Sequence, residues 1–391
     1  MSEPINRALL PAGLRDVLPG EAAFEAAVVQ SLLATFSAHG YDRVKPPLLE
    51  FEDSLLDGLG ADLAAQTFRV MDPVTQRMMG MRADMTVQVA RVAASRLVRE
   101  PRPLRLSYAG DVLRVKGSQL RPDRQFIQAG LELIGCDTPE ADAEVIVVAA
   151  RALDAIGVRR LSVDLTLPPL VPLILDAAGL SEDEKREARH ALDHKDAAEV
   201  AALPSAVAPT LGRLLDVCGP FERAFPVLAE LDLPPAARAW QERLGAVAQR
   251  LKALAPCVRL TVDAVENRGF EYHTGLCYTF FAEGWRHHLG RGGRYGGEGR
   301  EPATGASLYL HSLIGILPKP EPAPRVLVPL DGADPARLDA LRAEGFVTVA
   351  AVAPAADWTA EAIRLNCTHL LQHGQPCPVE GAQSSSEREH S

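Results

Sequence analysis

The sequence predicts an α+β fold in which a mostly antiparallel sheet is flanked by helices, with a helical insertion at about residues 168–256 and a small C-terminal α/β appendage. Three observations carry this expectation. Two long strand-like segments, residues 104–115 and 125–134, are joined by a short polar loop, as an antiparallel pair requires. From residue 168 to about 256 nearly every stretch has helical spacing, interrupted by Pro and Gly. After the Pro-rich segment 318–324 (PKPEPAP), short strand-like and helix-like runs alternate.

The elements follow in order. Residues 1–20 are punctuated by Pro11, Gly13, Pro19 and Gly20 and read as extended chain. Residues 21–39 place Phe24, Val28, Leu32 and Phe36 at helical spacing, and Gly40 is a good stop. Residues 41–51 read as a strand. Its Pro46-Pro47 pair cannot donate to a ladder, which confines it to an edge or an interface. A helix is expected at 84–99, another at 138–156 with Asp137 or Thr138 as N-cap, and a strand at 160–167. Strands are expected again at 257–265 and 270–282, a glycine-rich flexible turn at 290–299, and a final helix at 304–317. These give a first domain over 1–317, a linker at 318–324, a small α/β domain at 325–379 and a polar tail at 380–391.

Composition narrows the function classes. The chain has 391 residues, 47% of them hydrophobic and 24% charged, which is ordinary globular usage. The formal net charge is −10, which disfavours a protein whose main task is to coat nucleic acid. The six cysteines are scattered without a CxxC pair, so free thiols in a reducing cytoplasm are expected. The N-terminus has no apolar signal region, and no apolar run approaches the roughly 20 residues of a membrane span.

The segment 125–134 is the most informative. Alternation sets Ile127, Ala129, Leu131 and Leu133 on one face and Gln128, Gly130 and Glu132 on the other. An amide and a carboxylate on either side of a glycine suit an ammonium group lying over Gly130; a solvated outer face reads equally well. Antiparallel pairing would bring Arg114 near that polar face. A second cluster runs from Glu266 to Gly275. In it Arg268 could hold a carboxylate bidentately, with Tyr272 and His273 adding donors and ring surface; a hairpin turn with surface charges is the alternative. The glycines at 290–297 lack the Lys-Ser/Thr of a phosphate loop. Cys367, His369, His373 and Cys377 have a metal-like spacing, but strand alternation would spread such ligands apart, so they read as ordinary thiols and imidazoles and no metal or cofactor is expected.

Taken in order, these segments resemble the catalytic domain of histidyl-tRNA synthetase, a class II aminoacyl-tRNA synthetase. The carriers are Gly13-Leu14-Arg15-Asp16-Val17-Leu18-Pro19, Pro46-Pro47, the run from Met81 to Thr86, Arg114, the run from Arg124 to Glu132, and the run from Arg268 to Gly275. The resemblance spans about residues 10–317 and implies the class II antiparallel sheet. It also implies that Asp84, Thr86, Gln128 and Glu132 hold a histidine ammonium. Arg114 is the second-motif arginine, Arg268 would hold the carboxylate, and Tyr272 and His273 would lie near the ring.

The departures bear on activity. The second motif should read Arg-x-Glu and here reads Arg114-Val115-Lys116. The third should place a glycine and then an arginine where this chain has Tyr309 and Ser312, and serine cannot supply the charge that phosphoryl chemistry relies on. The histidine signature holds Glu271 and His273 for the usual Asp and Tyr, and Asp84 replaces a Glu. This pattern resembles the regulatory subunits of ATP phosphoribosyltransferase, a synthetase-like family without aminoacylation activity. The resemblance implies a non-catalytic cytoplasmic chain that self-dimerises and pairs with the short-form catalytic subunit in a hetero-octamer. That enzyme carries out the first step of histidine biosynthesis. Histidine would be the feedback effector and tRNA would not be a ligand. An active or repurposed histidyl-tRNA synthetase-like protein is the alternative.

Overall fold

A computed structural model describes residues 9–56, 64–117, 122–266, 273–297, 299–331 and 334–381. The chain divides into two compact units, Met1–Pro318 and Lys319–Ser391.

The first unit is built on a nine-stranded sheet. Its strands are β1 (Asp42–Arg43), β5 (Leu104–Leu113), β6 (Gln125–Ile134), β7 (Leu161–Thr166), β8 (Cys218–Pro220), β9 (Arg259–Asp263), β10 (Cys277–Ala282), β11 (Gly290–Gly297) and β12 (Arg300–Tyr309). Their spatial order is β1-β5-β6-β12-β11-β10-β7-β9-β8. Among the described residues of this sheet, only β1–β5 and β7–β9 are parallel pairs. A separate antiparallel sheet joins β2 (Leu49–Phe51), β3 (Phe68–Met71) and β4 (Met78–Met81).

Two cores sandwich the large sheet. On one face, Val28, Leu32 and Phe36 of the helix Glu21–Ala38 and ten buried apolar residues of the helix Pro139–Ala155 pack with Ala129, Leu131 and Leu133. Thr138 caps the second helix by accepting from the Ala141 amide. On the other face, Met85 and Val89 from the helix Thr86–Ser95 region pack with Tyr108, Phe126, Ile134 and Tyr309. The polar face of β6 is therefore covered rather than solvated.

Three expectations need correction. The glycine-rich run 290–297 is strand β11 at the centre of the sheet, not a turn. Its missing side chains leave room for the Tyr278 ring over Gly292 and for the His273 ring over Gly293. Residues 304–309 belong to β12, and only Leu310–Ile314 is helical. Ladder partners on both sides, β6 and β11, override the helical pattern there. Residues 41–51 do not form one strand. They contribute β1 and β2 to different sheets, while the Pro46 and Pro47 carbonyls accept hydrogen bonds from Arg82 and Gln88. The insertion is mostly helical as expected, from Leu170–Ala177 to Pro235–Leu254, but it also sends β8 to the sheet edge.

The second unit holds a four-stranded sheet in the order β14-β13-β15-β16, with β13 at Arg325–Val328, β14 at Val347–Ala350, β15 at His369–Gln372 and β16 at Gln375–Pro378. The helices Pro335–Ala343 and Trp358–Arg364 connect the parallel strands. The tail expected at 380–391 lies almost wholly outside the described residues. No helix among the described residues is long and apolar enough to cross a membrane. No group of three or more candidate metal ligands occurs among them either.

Candidate functional site

The site grows out of register. Pairing sets Gly130 of β6 between Tyr108 of β5 and Ser307 of β12, and Glu132 opposite Gly305. Side chains of one parity share a face, so Tyr108, Gln128, Glu132 and Ser307 converge there. The Tyr108 hydroxyl stands 2.4 Å from where a Cβ of Gly130 would be, so that phenol, not a ligand, occupies the space over Gly130.

Glu132 is fully buried. The Tyr108 hydroxyl donates to its Oε1 at 3.0 Å and the Tyr295 hydroxyl to its Oε2 at 2.9 Å. Tyr108 also bonds Ser307 Oγ at 3.0 Å and Thr86 Oγ1 at 3.1 Å. Burial pushes the Glu132 carboxyl up to about 8, although the Tyr295, Thr86 and Tyr108 hydroxyls favour its charged form. The same burial, with Glu132 beside it, raises the Tyr108 phenol well above its ordinary value and keeps it a donor.

Gln128 is fully buried and its amide is committed to the frame. Its oxygen accepts from the Met85 amide at 3.0 Å. Its nitrogen donates to Asp84 Oδ2 at 3.0 Å and to Ser307 Oγ at 2.6 Å. Gln128 thus aims Asp84, whose other oxygen accepts from the Thr86 amide at 2.8 Å at the start of the helix Thr86–Ser95. Asp84 is half-buried and adds a second carboxylate to this side-chain network.

Room for the Glu132 carboxyl comes from across the ladder. A Cβ on Gly305 would lie 1.6 Å from Glu132 Oε2. Gly305→Ala is expected to destabilise the fold by about 1–3 kcal/mol through overpacking. It should also displace Glu132. Thermal unfolding would show a lowered midpoint, and an unchanged one would mean that the carboxyl has another place to go.

Arg114 sits at the far end of this face. Its guanidinium lies 5.1 Å from the Phe126 ring centroid, and its Nε reaches the Ala83 carbonyl at 3.5 Å. Tyr309 and His311 pack against the same ring, at 5.9 Å and 4.4 Å between centroids. Ser312 is buried. Lys116 donates its backbone N–H to Gln66 Oε1 at 3.2 Å. Aromatic rings thus crowd the position of Tyr309, where the resemblance implies a glycine.

His273 is buried beside Gly293. Arg268 and Tyr272 lie at 267–272, outside the described residues. A groove of about 1180 Å³ reaches the cradle, with Thr86, Thr274 and Tyr295 among its lining residues. Tyr108, Tyr295, Ser307 and Gly305 are the members that sequence reading missed. Their signal is register: each faces Gly130 or Glu132 from a neighbouring strand or bonds that carboxyl.

A family model for histidyl-tRNA synthetase matches residues 13–313. The ATP phosphoribosyltransferase regulatory subunit of Paramagnetospirillum magneticum is 58% identical over 371 residues, covering 95% of this chain and 98% of that protein. The chain belongs to the ATP phosphoribosyltransferase regulatory subunit family. The relative of the same name from Gluconobacter oxydans is 46% identical over 97% of this chain and 99% of its own length. Members of this regulatory family are not themselves the catalytic subunit, in agreement with the lost nucleotide motifs. Among solved structures, an ATP phosphoribosyltransferase regulatory subunit/histidyl-tRNA synthetase from Bacillus halodurans matches with a TM-score of 0.79 at 24% identity, covering 93% of this chain and 97% of that one. The histidyl-tRNA synthetase of Nostoc sp. PCC 7120 matches with a TM-score of 0.77 at 19% identity, covering 94% and 92%. These two establish the class II synthetase-like fold.

Proposed function

We propose that this chain activates a short-form ATP phosphoribosyltransferase catalytic subunit in the cytoplasm, and that it carries the feedback response to histidine. In this reading histidine occupies the cradle. Asp84, Thr86 and Glu132 face its ammonium group, Arg268 its carboxylate, and Tyr272 and His273 its ring. Gln128 orients Asp84, and Arg114 closes the Phe126 end. The chain dimerises and joins the catalytic subunits in a hetero-octamer, without tRNA.

One observation carries the reading. An acidic, hydroxyl-lined cradle persists around Glu132 and Asp84, while the nucleotide positions hold Lys116, Tyr309 and Ser312. Binding an amino acid needs the first set; activating it with ATP needs the groups that are missing.

The deciding experiment mixes this chain with a short-form catalytic subunit and measures turnover with and without histidine. Turnover should require the chain and fall as histidine is added. Clear pyrophosphate exchange with histidine and ATP would instead establish an active synthetase. In calorimetry, Glu132→Ala and Arg268→Ala should each weaken histidine binding by more than about 1.5 kcal/mol, since each removes a charge-assisted contact. Unchanged affinity in both would move the ligand to another site.

A further inference from the structure

The helix Pro235–Leu254 of the insertion reaches the rim of the cradle through two residues one turn apart. Arg243 donates its Nε to Asp142 Oδ2 at 2.7 Å and pairs with Asp137 at 2.9 Å. Asp142 is fully buried near the start of the helix Pro139–Ala155. Its other oxygen accepts from Arg294 of β11, through Nε at 3.0 Å and Nη2 at 2.8 Å. Arg294 is itself buried and also donates to the Cys136 carbonyl at 3.0 Å. Arg294 also pairs with Asp137 at 3.2 Å, so two carboxylates, the buried Asp142 and the more exposed Asp137, tie an insertion helix to a central strand.

Arg294 then holds the next segment by its backbone. Its carbonyl accepts from the Thr274 amide, and its own amide donates to the Leu276 carbonyl, both at 2.8 Å. Trp240, from the same insertion helix, packs against that segment at Gly275. A Cβ on Gly275 would stand 2.5 Å from the Trp240 ring and 3.1 Å from Arg294 Cβ. The Arg243 guanidinium lies 5.5 Å from the Trp240 ring centroid, so the two contacts support each other. Residues 274–276 are thus contacted by both the insertion and β11, and they directly follow His273 in sequence.

We propose that Arg243 and Trp240 are positioning residues for the amino-acid cradle, acting through Asp142, Arg294 and the Thr274–Leu276 segment. The insertion and the cradle then form one coupled unit. An event that shifts the helix Pro235–Leu254 changes ligand affinity, and ligand binding stiffens that helix by the same coupling. The ligand side of this inference rests on the histidine reading above; the mechanical side does not.

The test therefore has two readouts on the full chain. Hydrogen exchange at the Thr274 and Arg294 amides reports the clamp, and calorimetry with histidine reports the pocket. Arg243→Gln should speed exchange at both amides and weaken histidine binding by about tenfold, within the usual range of coupling between sites. Arg243→Lys, which keeps the charge, should recover part of both effects. Trp240→Phe provides a second entry if Arg243→Gln does not fold. Val247→Ala, a buried position of the same helix outside the clamp, should leave both readouts near wild type. Unchanged exchange in Arg243→Gln, or equal acceleration by Val247→Ala, overturns the proposal. So does faster exchange with unaltered affinity. If the wild-type chain binds no histidine, the functional reading fails, and exchange alone decides the clamp.

Discussion

Asp142→Ala is expected to cost about 3–5 kcal/mol of stability, the penalty for removing one partner from a buried ion pair. The alanine takes from the Arg294 guanidinium, on a side chain only 4% exposed, its one fully buried counter-charge, leaving it the 59% exposed Asp137 at 3.2 Å, and Arg243 loses the acceptor of its Nε. The size of this effect comes from burial, not from the number of ion pairs. Arg159 and Asp154 also pair at 3.0 Å, but their side chains are 76% and 67% exposed. Water and salt screen such a pair, so Asp154→Ala should change stability by about 0–1 kcal/mol. Urea unfolding separates the two: the Asp142→Ala midpoint should fall steeply at unchanged slope, and the Asp154→Ala midpoint should barely move. Replacing Asp142 and both arginines together by apolar residues should recover much of the loss, because no charge is then left buried. A small effect of Asp142→Ala would mean that water reaches Arg294 and that the clamp is looser than its distances imply.

Much of this architecture was legible because the polar and apolar residues follow the backbone period. The β5–β6 pair and the helix Pro139–Ala155 match their expected ranges within two residues. The face shared by Gln128, Gly130 and Glu132 was legible from strand alternation. Its burial was not, because a strand covered on both faces can keep polar residues where a hydroxyl network satisfies them. Tyr108, Tyr295 and Ser307 supply that network, and they come from strands distant in sequence, so only register reveals them. The 290–297 strand hid behind its glycines. Glycine signals a turn by its backbone freedom, yet here the absent side chains make room for neighbouring rings. The third-motif segment hid for a different reason: local pattern favoured a helix over 304–317, and two ladder partners outweighed it. Motif order carried the family, which composition and spacing alone could not have supplied.

Histidine binding at pH 7 is expected to release a proton, and Glu132 is its source. Burial holds that carboxyl at about 8 in the free chain, so at neutral pH most molecules carry it protonated. An unfolded chain would hold it near the ordinary glutamate value of about 4.3. Between these values the folded state binds a proton that the unfolded state has lost, so stability falls as pH rises through the window. The contribution is complete below about pH 4 and exhausted above about pH 8. An ammonium group seated in the cradle opposes burial by favouring the carboxylate, so its arrival expels the proton. Affinity should therefore increase as pH is raised from 7 towards 8. The heat of binding at pH 7 should differ between buffers with different enthalpies of ionisation. Glu132→Gln removes the titrating group while keeping its shape, and it should abolish both the buffer dependence and the decline of stability across the window. Identical heats in two buffers for the wild-type chain would place the ammonium away from Glu132, leaving Asp84 as the acidic contact.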